Sequence, residues 1–313
     1  MFRYLKHYRM ADLHAMLRNQ RAPNERTSAS LANRTVVIAG STSGVGLAAA
    51  REVARAGGRL VLLARDEAKG RAVRAELERD FGAETSLLLA DFARLPEVHR
   101  VARELLDRTP RIDVLINSAG VHSTRRILTE DGHELSFCVN HLAPFVLTWR
   151  LIPRMREAGA GRIVQVNSQG HRFAGVHLDD LAWRRRSYTG LRAYGASKTA
   201  QLLSVWELAD RLEGTGVTIN AMHPGEVRSG IGSNNGPLYR WYHRRVLERF
   251  LGDARISGEA LHYLAAAPEV EGVSGRYFNR TRLETPAPHA LDRDVGRKLW
   301  ERTMEQAGVR DDV

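Results

Sequence analysis

From residue 34 onward, short runs of consecutive apolar residues alternate with longer segments whose apolar positions recur at helical spacing. TVVIAG (35–40), RLVLLAR (59–65), TSLLLAD (85–91), IDVLINSAG (112–120), GRIVQVNS (161–168), GVTINAMHPG (216–225) and GRYFN (275–279) read as strands. A helix opens near Gly44, a second covers 66–82 and ends at a glycine, and LPEVHRVARELLDRT (95–109) is a third. The strands are apolar on both faces, as a sheet covered by helices on both sides requires. Strands alternating with helices of this length imply βαβ units and a parallel sheet. No internal repeat or low-complexity linker interrupts the pattern, so a single domain over 34–313 is expected, preceded by a basic amphipathic helical extension, 1–33.

The first strand runs into AGSTSGVGLAAAREVARAGG, where Gly40, Gly44 and Gly46 are spaced G-x-x-x-G-x-G. Glycines between a strand and a helix allow a tight turn and close approach of backbone to a pyrophosphate, and the helix start offers N–H groups to its charge. Three glycines alone are loop punctuation; after a strand and before the small residues Ala48, Ala49 and Ala50 they predict a dinucleotide site. The fold class is therefore α/β, a Rossmann-type doubly wound parallel sheet of about seven strands with helices on both faces. The end of the second strand separates the two nicotinamide cofactors. An acid there would bind ribose hydroxyls, whereas a 2′-phosphate favours a base. Ala64 occupies the acid position, Arg65 follows and Lys69 lies one helical turn on, so NADP(H) is expected over NAD(H), with Asp66 a small counterweight.

The chain has 313 residues, 43% of them hydrophobic, a globular composition. Cys138 is the only cysteine, which excludes an internal disulfide and suits a reducing, cytoplasmic setting. There is no unbroken apolar run of spanning length and no secretory signal at MFRYLKHYRMADLHAML. The formal net charge is +11, but lysine occurs only at 6, 69, 198 and 298, and the arginines are mixed with acids along most of the chain. That scatter argues against a nucleic-acid surface. Histidine and cysteine spacings offer no metal site.

Tyr194 and Lys198 stand four apart in RAYGASKTA, on one face of a helix. Alone this is a weak pattern, compatible with a core tyrosine and a solvated lysine. An ammonium beside a phenol favours the phenolate, and a phenol tuned from its ordinary value near 10 towards neutrality is a general acid for a carbonyl oxygen. Ser168 closes the fifth strand, where its hydroxyl can share the substrate oxygen as an oxyanion donor. No G-x-S-x-G elbow surrounds it, which argues against a hydrolase.

In this order the motifs resemble the short-chain dehydrogenase/reductase superfamily over roughly residues 34–280, in detail its retinol dehydrogenase and protochlorophyllide reductase branch. GSTSGVG resembles the family's cofactor turn, which assigns Gly40, Ser41, Thr42, Ser43, Gly44, Val45 and Gly46 to the cofactor. ADF (90–92) implies adenine contacts from Asp91 and the Phe92 backbone; NSAG (117–120) implies that Asn117, Ala119 and Gly120 line the cofactor, with Ser118 a departure from N-N-A-G. HPGEVRS (223–229) resembles the turn under the nicotinamide, carried by Pro224, Gly225, Val227 and Ser229. VNHLAPF (139–145) resembles the segment with an active-site asparagine, here Asn140, which the resemblance has holding a water between Lys198 and solvent. It also implies that Lys198 holds the nicotinamide ribose and that Tyr194 is the proton donor. The expected activity is hydride transfer between NADP(H) and a small lipophilic carbonyl or alcohol. Reduction of a carbon–carbon double bond, or a non-catalytic cofactor-binding protein on the same fold, are the alternatives.

Residues 229–252 follow the sixth strand, where the family places its substrate lid, and mix Leu238, Tyr239, Trp241, Tyr242 and Val246 with arginines. A lid over a lipophilic substrate, a peripheral membrane-surface contact and an ordinary packed helix all fit. The N-terminal segment, with Phe2, Leu5, Tyr8, Met16 and Leu17 among basic residues, has the same open choices: the substrate mouth, a partner subunit in a homo-oligomer, or a lipid surface.

Overall fold

The computed structural model describes residues 9–227 and 252–310. Ser229 and the predicted lid, apart from Gly252, lie outside these residues. Helix α1 (Met10–Arg21) precedes β1 (Thr35–Ala39), α2 (Gly44–Arg55), β2 (Arg59–Ala64), α3 (Glu67–Phe81), β3 (Thr85–Leu89), α4 (Leu95–Arg108) and β4 (Val114–Asn117). Then come α5 (Leu135–Glu157), β5 (Gly161–Val166), α6 (Gly190–Arg211), β6 (Val217–His223), α7 (Arg255–Ala266), β7 (Tyr277–Asn279), β8 (Arg282–Leu283) and α8 (Arg293–Ala307).

The strands form one eight-stranded sheet among the described residues, in the order β3-β2-β1-β4-β5-β6-β7-β8. All pairings are parallel except β7 with β8, a two-residue strand the sequence pattern does not reveal. Side chains alternate across the sheet. Val37 and Ala39 meet a core built with α4, α5, α6 and α8, while Val36 and Ile38 meet a core built with α2, α3 and α7. Both faces are thus covered, which is why the strands read as continuous apolar runs. Ala39, the last residue of β1, pairs with Leu63 on one side and Asn117 on the other. The strand order reverses there, and such a switch point opens a crevice beyond the strand ends.

Helix α5 is long and apolar enough to cross a bilayer, with a mean hydropathy of 1.3 in its most apolar window. The sequence alone shows no such segment, because polar residues such as Thr148 and Arg150 break the run. In the fold 89% of that window is buried, so the helix serves as a core element. The N-terminal segment docks on the far edge of the sheet. The Arg280 guanidinium donates to the carbonyls of Asn19, Gln20 and Ala22 at 2.7, 3.0 and 2.6 Å, closing the C-terminal end of α1. Arg282 pairs with Glu25 at 2.9 Å, and His262 Nε2 donates to the Ala29 carbonyl.

Candidate active site

At the switch point the chain leaves β1 through Gly40, whose φ of +79° is open to glycine at little strain. Ser41, Thr42 and Ser43 follow, and α2 begins at Gly44. A Cβ on Gly46 would stand 2.2 Å from the Gly40 carbonyl oxygen, and one on Gly40 would stand 2.7 Å from the Ala119 backbone. The turn is therefore folded onto itself and onto the end of β4. No side chain caps the first turn of α2, so its N–H groups remain for an anion. This cradle fits a pyrophosphate. The Ser41 hydroxyl is buried and donates to the Leu63 carbonyl, and Val45 packs in the core, so these two offer backbone only.

Arg65 is exposed just beyond β2 and makes no ion pair among the described residues. Asp66 is occupied: it accepts from the Lys69 N–H at the start of α3 and pairs with the Lys69 ammonium at 3.6 Å. It is held by its own helix, which weakens the expected counterweight. Asp91 is half-buried and accepts from the Ala93 N–H at 3.0 Å, and the Phe92 ring lies in the core. Asn117 is buried and donates to the Thr148 hydroxyl at 2.9 Å, so its side chain braces α5 rather than facing the crevice. Beyond β6, the Pro224 carbonyl accepts from Ser257, Gly225 has a φ of +90°, and Val227 is buried and bridges to Gly252.

At the end of β5, Asn167 ties strand to helix. Its amide donates to the Lys198 carbonyl and to Gln201 Oε1, and its Oδ1 accepts from the Ser168 N–H at 2.8 Å. Ser168 then opens a short 3₁₀ turn, Gln169–Phe173, and its hydroxyl oxygen accepts from the Gly170 N–H at 3.0 Å. Tyr194 stacks against Gly170: a Cβ there would meet the Tyr194 ring at 2.5 Å and the Ser168 hydroxyl at 3.3 Å. The missing side chain of Gly170 is what lets serine and phenol converge. The His122 ring meets the Tyr194 ring edge-on, with centroids 5.7 Å apart.

Lys198 is buried, and its ammonium donates to the Val166 carbonyl at 2.8 Å and to Gln201 Oε1 at 3.4 Å. Burial without a carboxylate brings its pKa down to about 7. Tyr194 moves the opposite way. Burial pushes the phenol up to about 12; the hydrogen bond with Ser168 offsets part of this, and Glu226 adds to it. The expectation that Lys198 draws the phenol towards neutrality therefore does not describe the cofactor-free chain, where desolvation outweighs the hydrogen bond with Ser168.

Asn140 lies inside α5, in a π-helical turn (Cys138–Leu142), rather than at a helix end. Pro144 four residues on has no N–H to return to the Asn140 carbonyl, a local reason for the wider turn. The side-chain amide is engaged: Oδ1 accepts from the Val121 N–H at 2.8 Å, and Nδ2 donates to the Val121 carbonyl and to the Ser197 hydroxyl. Asn140 thus brackets the loop after β4 to α6 beside the crevice.

Two histidines the spacing rules set aside also belong here. His171 Nε2 accepts from the Ala287 N–H, which fixes a neutral ring, and its Nδ1–H donates to the Ser168 carbonyl at 2.7 Å. His223 is buried at the end of β6 with Nε2 3.7 Å from Glu226; burial lowers its pKa to about 3. No group of acids, histidines and cysteine is placed to hold a metal among the described residues. Asn167, Gln201 and His171 carry no motif, since each acts through a partner on a different element.

A family model described as short chain dehydrogenase matches residues 34–237. Retinol dehydrogenase 14 of Mus musculus is 37% identical over 305 residues, covering 93% of this chain and 91% of the relative. A solved structure of an uncharacterized protein from Mycobacterium Paratuberculosis aligns with a TM-score of 0.74 at 30% identity, covering 91% of this chain and 97% of that one. Another, from Beutenbergia cavernae with bound NADP at low occupancy, aligns with a TM-score of 0.63 at 29% identity, covering 80% and 96%. The matched range spans the described crevice from the glycine turn through α6 and β6: the chain belongs to the short-chain dehydrogenase family, in the branch of the retinol dehydrogenases, whose members are oxidoreductases that bind a nicotinamide cofactor.

Proposed function

We propose that the protein is an NADP(H)-dependent oxidoreductase acting on a small lipophilic carbonyl or alcohol, with Tyr194 as the general acid and base. The observation that carries this reading is the convergence of the Ser168 hydroxyl and the Tyr194 phenol over Gly170, beside the buried Lys198. Bound NADP(H) supplies or accepts the hydride. The Gly40–Gly46 turn, with Thr42 and Ser43, would hold the pyrophosphate; Arg65 would hold the 2′-phosphate. Asp91 and the Phe92 backbone would meet the adenine, and the Ala119, Gly120 and Pro224–Val227 backbone would line the remainder. Lys198 would bind ribose hydroxyls.

Ser168 donates a hydrogen bond to the substrate oxygen, and Tyr194 delivers its proton there as negative charge develops. A phenol whose pKa is held high by burial stays protonated until that moment. Lys198, titrating near 7, can pass a proton onward. With both amide hydrogens of Asn140 engaged and no N–H on Pro144 to bond its main-chain carbonyl in the α-helical manner, that carbonyl would hold a water on that route. The retinol dehydrogenase relatives support a lipophilic substrate. Exposed Met10 and Leu17 on α1 and exposed Leu283 on β8 extend this reading to contact with a lipid surface. Co-sedimentation with anionic vesicles tests that contact, and unchanged partition of a Leu17→Glu variant would refute it.

The reaction is tested by following nicotinamide absorbance with retinal and a panel of lipophilic ketones, for the native chain and Tyr194→Phe. The variant should lose about 10²–10⁴ of kcat, the usual range for a general acid, at unchanged NADPH affinity. Normal turnover by Tyr194→Phe would overturn the assignment.

A further inference from the structure

The turn that begins at Ser168 is short and is tied to α6, where the Thr199 hydroxyl donates to the His171 and Ala174 carbonyls. It is held on another side by residues 284–289. Gln169 Nε2 donates to Glu284 Oε1 at 2.5 Å, and Arg172 donates to the same oxygen at 3.1 Å and to the Thr285 carbonyl at 2.9 Å. Arg172 Nε also donates to Gln169 Oε1 at 2.7 Å, joining the two side chains. His171 accepts from the Ala287 N–H, and His289 Nε2 donates to the His171 carbonyl at 2.8 Å. The Glu284 side chain is fully buried. Its second oxygen accepts from Asn279 Nδ2 at 2.9 Å and from Asn19 Nδ2, on α1, at 3.4 Å. One carboxylate therefore receives four donors, from the serine turn, from β7 and from the N-terminal helix.

We propose that Glu284 is a positioning residue for the Ser168 hydroxyl, and that through Asn19 it makes α1 part of the scaffold of the active site. This rests on the reading of Ser168 as the oxyanion donor. The hydroxyl is aimed by the Gly170 N–H, and the Tyr194 ring lies on Gly170. A shift of Gly170 re-aims the Ser168 hydroxyl, whereas Tyr194 is carried by α6. Gln169 and Arg172 flank it, and both end on Glu284. Removing the negative charge leaves Gln169, Arg172, Asn279 and Asn19 competing for fewer acceptors in a dry site, which releases the turn. The cofactor cradle, between β1 and α2, shares none of these contacts.

The test is a double-mutant cycle read on retinal and NADPH, using Glu284→Gln, Ser168→Ala and the two together. Misplacement of a reacting group by about 1 Å is worth up to about a hundred-fold. Glu284→Gln should accordingly lower kcat about 10- to 100-fold, with KM and NADPH affinity within about two-fold, and should add nothing in the Ser168→Ala background. Losses that multiply in the double variant, or loss of NADPH binding in step with kcat, would overturn the proposal. An unaffected Ser168→Ala would instead defeat the reading on which it rests. If Glu284→Gln does not fold, Gln169→Ala and Asn19→Ala, each deleting one tie, enter the same cycle. A fall in kcat seen only when Ser168 is present supports the proposal, and an unchanged kcat in both overturns it.

Discussion

Lys198 follows Tyr194 by one turn of α6, and its ammonium donates to the Val166 carbonyl at the end of β5. The helix face that pairs the two residues in sequence thus also pins the lysine to the strand that delivers Ser168. Among the described residues no carboxylate pairs with it, and burial alone sets its titration near 7.

A pH dependence of stability follows. The folded pKa of Lys198 lies below its ordinary value of 10.5. Between pH 7 and 10.5 the unfolded chain therefore holds a proton that the folded chain has lost, and stability contributed by this group rises with pH, by up to about 1.4 kcal/mol per pH unit. Below pH 7 the burial penalty is present in full. Tyr194, raised from 10 to about 12, acts oppositely, but only above pH 10. Urea melts of the cofactor-free protein at pH 7.5 and 9.5 should show the rise, and Lys198→Met should flatten it. Parallel curves for the two proteins would contradict the assignment.

Arg65 is exposed and has no ion partner among the described residues, while Asp66 is engaged by Lys69. Losing a charge-assisted phosphate contact costs about 1.5–3 kcal/mol. Arg65→Ala should weaken NADPH about ten- to a hundred-fold and leave NADH nearly unchanged. Calorimetry giving equal affinities for the two cofactors in the native protein would defeat the preference.

Gly170 separates a packing effect from a chemical one. An alanine there must push the Tyr194 ring from 2.5 Å and crowd the Ser168 hydroxyl. Gly170→Ala should lower kcat by about ten-fold or more, since both groups move from their shared point. NADPH affinity should hold, because the cofactor turn is elsewhere. A variant with full kcat would mean that the convergence over Gly170 is irrelevant to turnover.

Most of the sheet was legible because buried parallel strands are uniformly apolar. Their predicted ends overran by one to three residues, and for a chemical reason: Ser118–Gly120, Asn167–Ser168 and Pro224–Gly225 are the loop residues that turn towards the crevice. Helix α5 was not legible, since an element buried nearly all round has no polar stripe to give it a period. Asn140 was singled out by motif, but its place inside a π turn was not legible, because that geometry follows from Pro144 and not from the asparagine. Glu284 was invisible for another reason. It has no local pattern, and its partners Gln169 and Asn19 lie 115 and 265 residues away.

Those long separations have a bearing on the order in which the molecule is made. On the ribosome α1 emerges well before the hairpin that receives it, 277–284. Asn19 and Leu283, joined by a hydrogen bond, are 264 residues apart, and so wide a loop is closed only after the intervening sheet has brought its ends near. The turn carrying Ser168 is anchored from the same hairpin. A nascent chain halted before residue 277 would already own its glycine cradle on β1 and α2, yet its serine turn, tied to α6 through Thr199, would still lack the ties to Glu284 and Ala287. Translation thus completes the dinucleotide half before it supplies the residues that finish setting the serine.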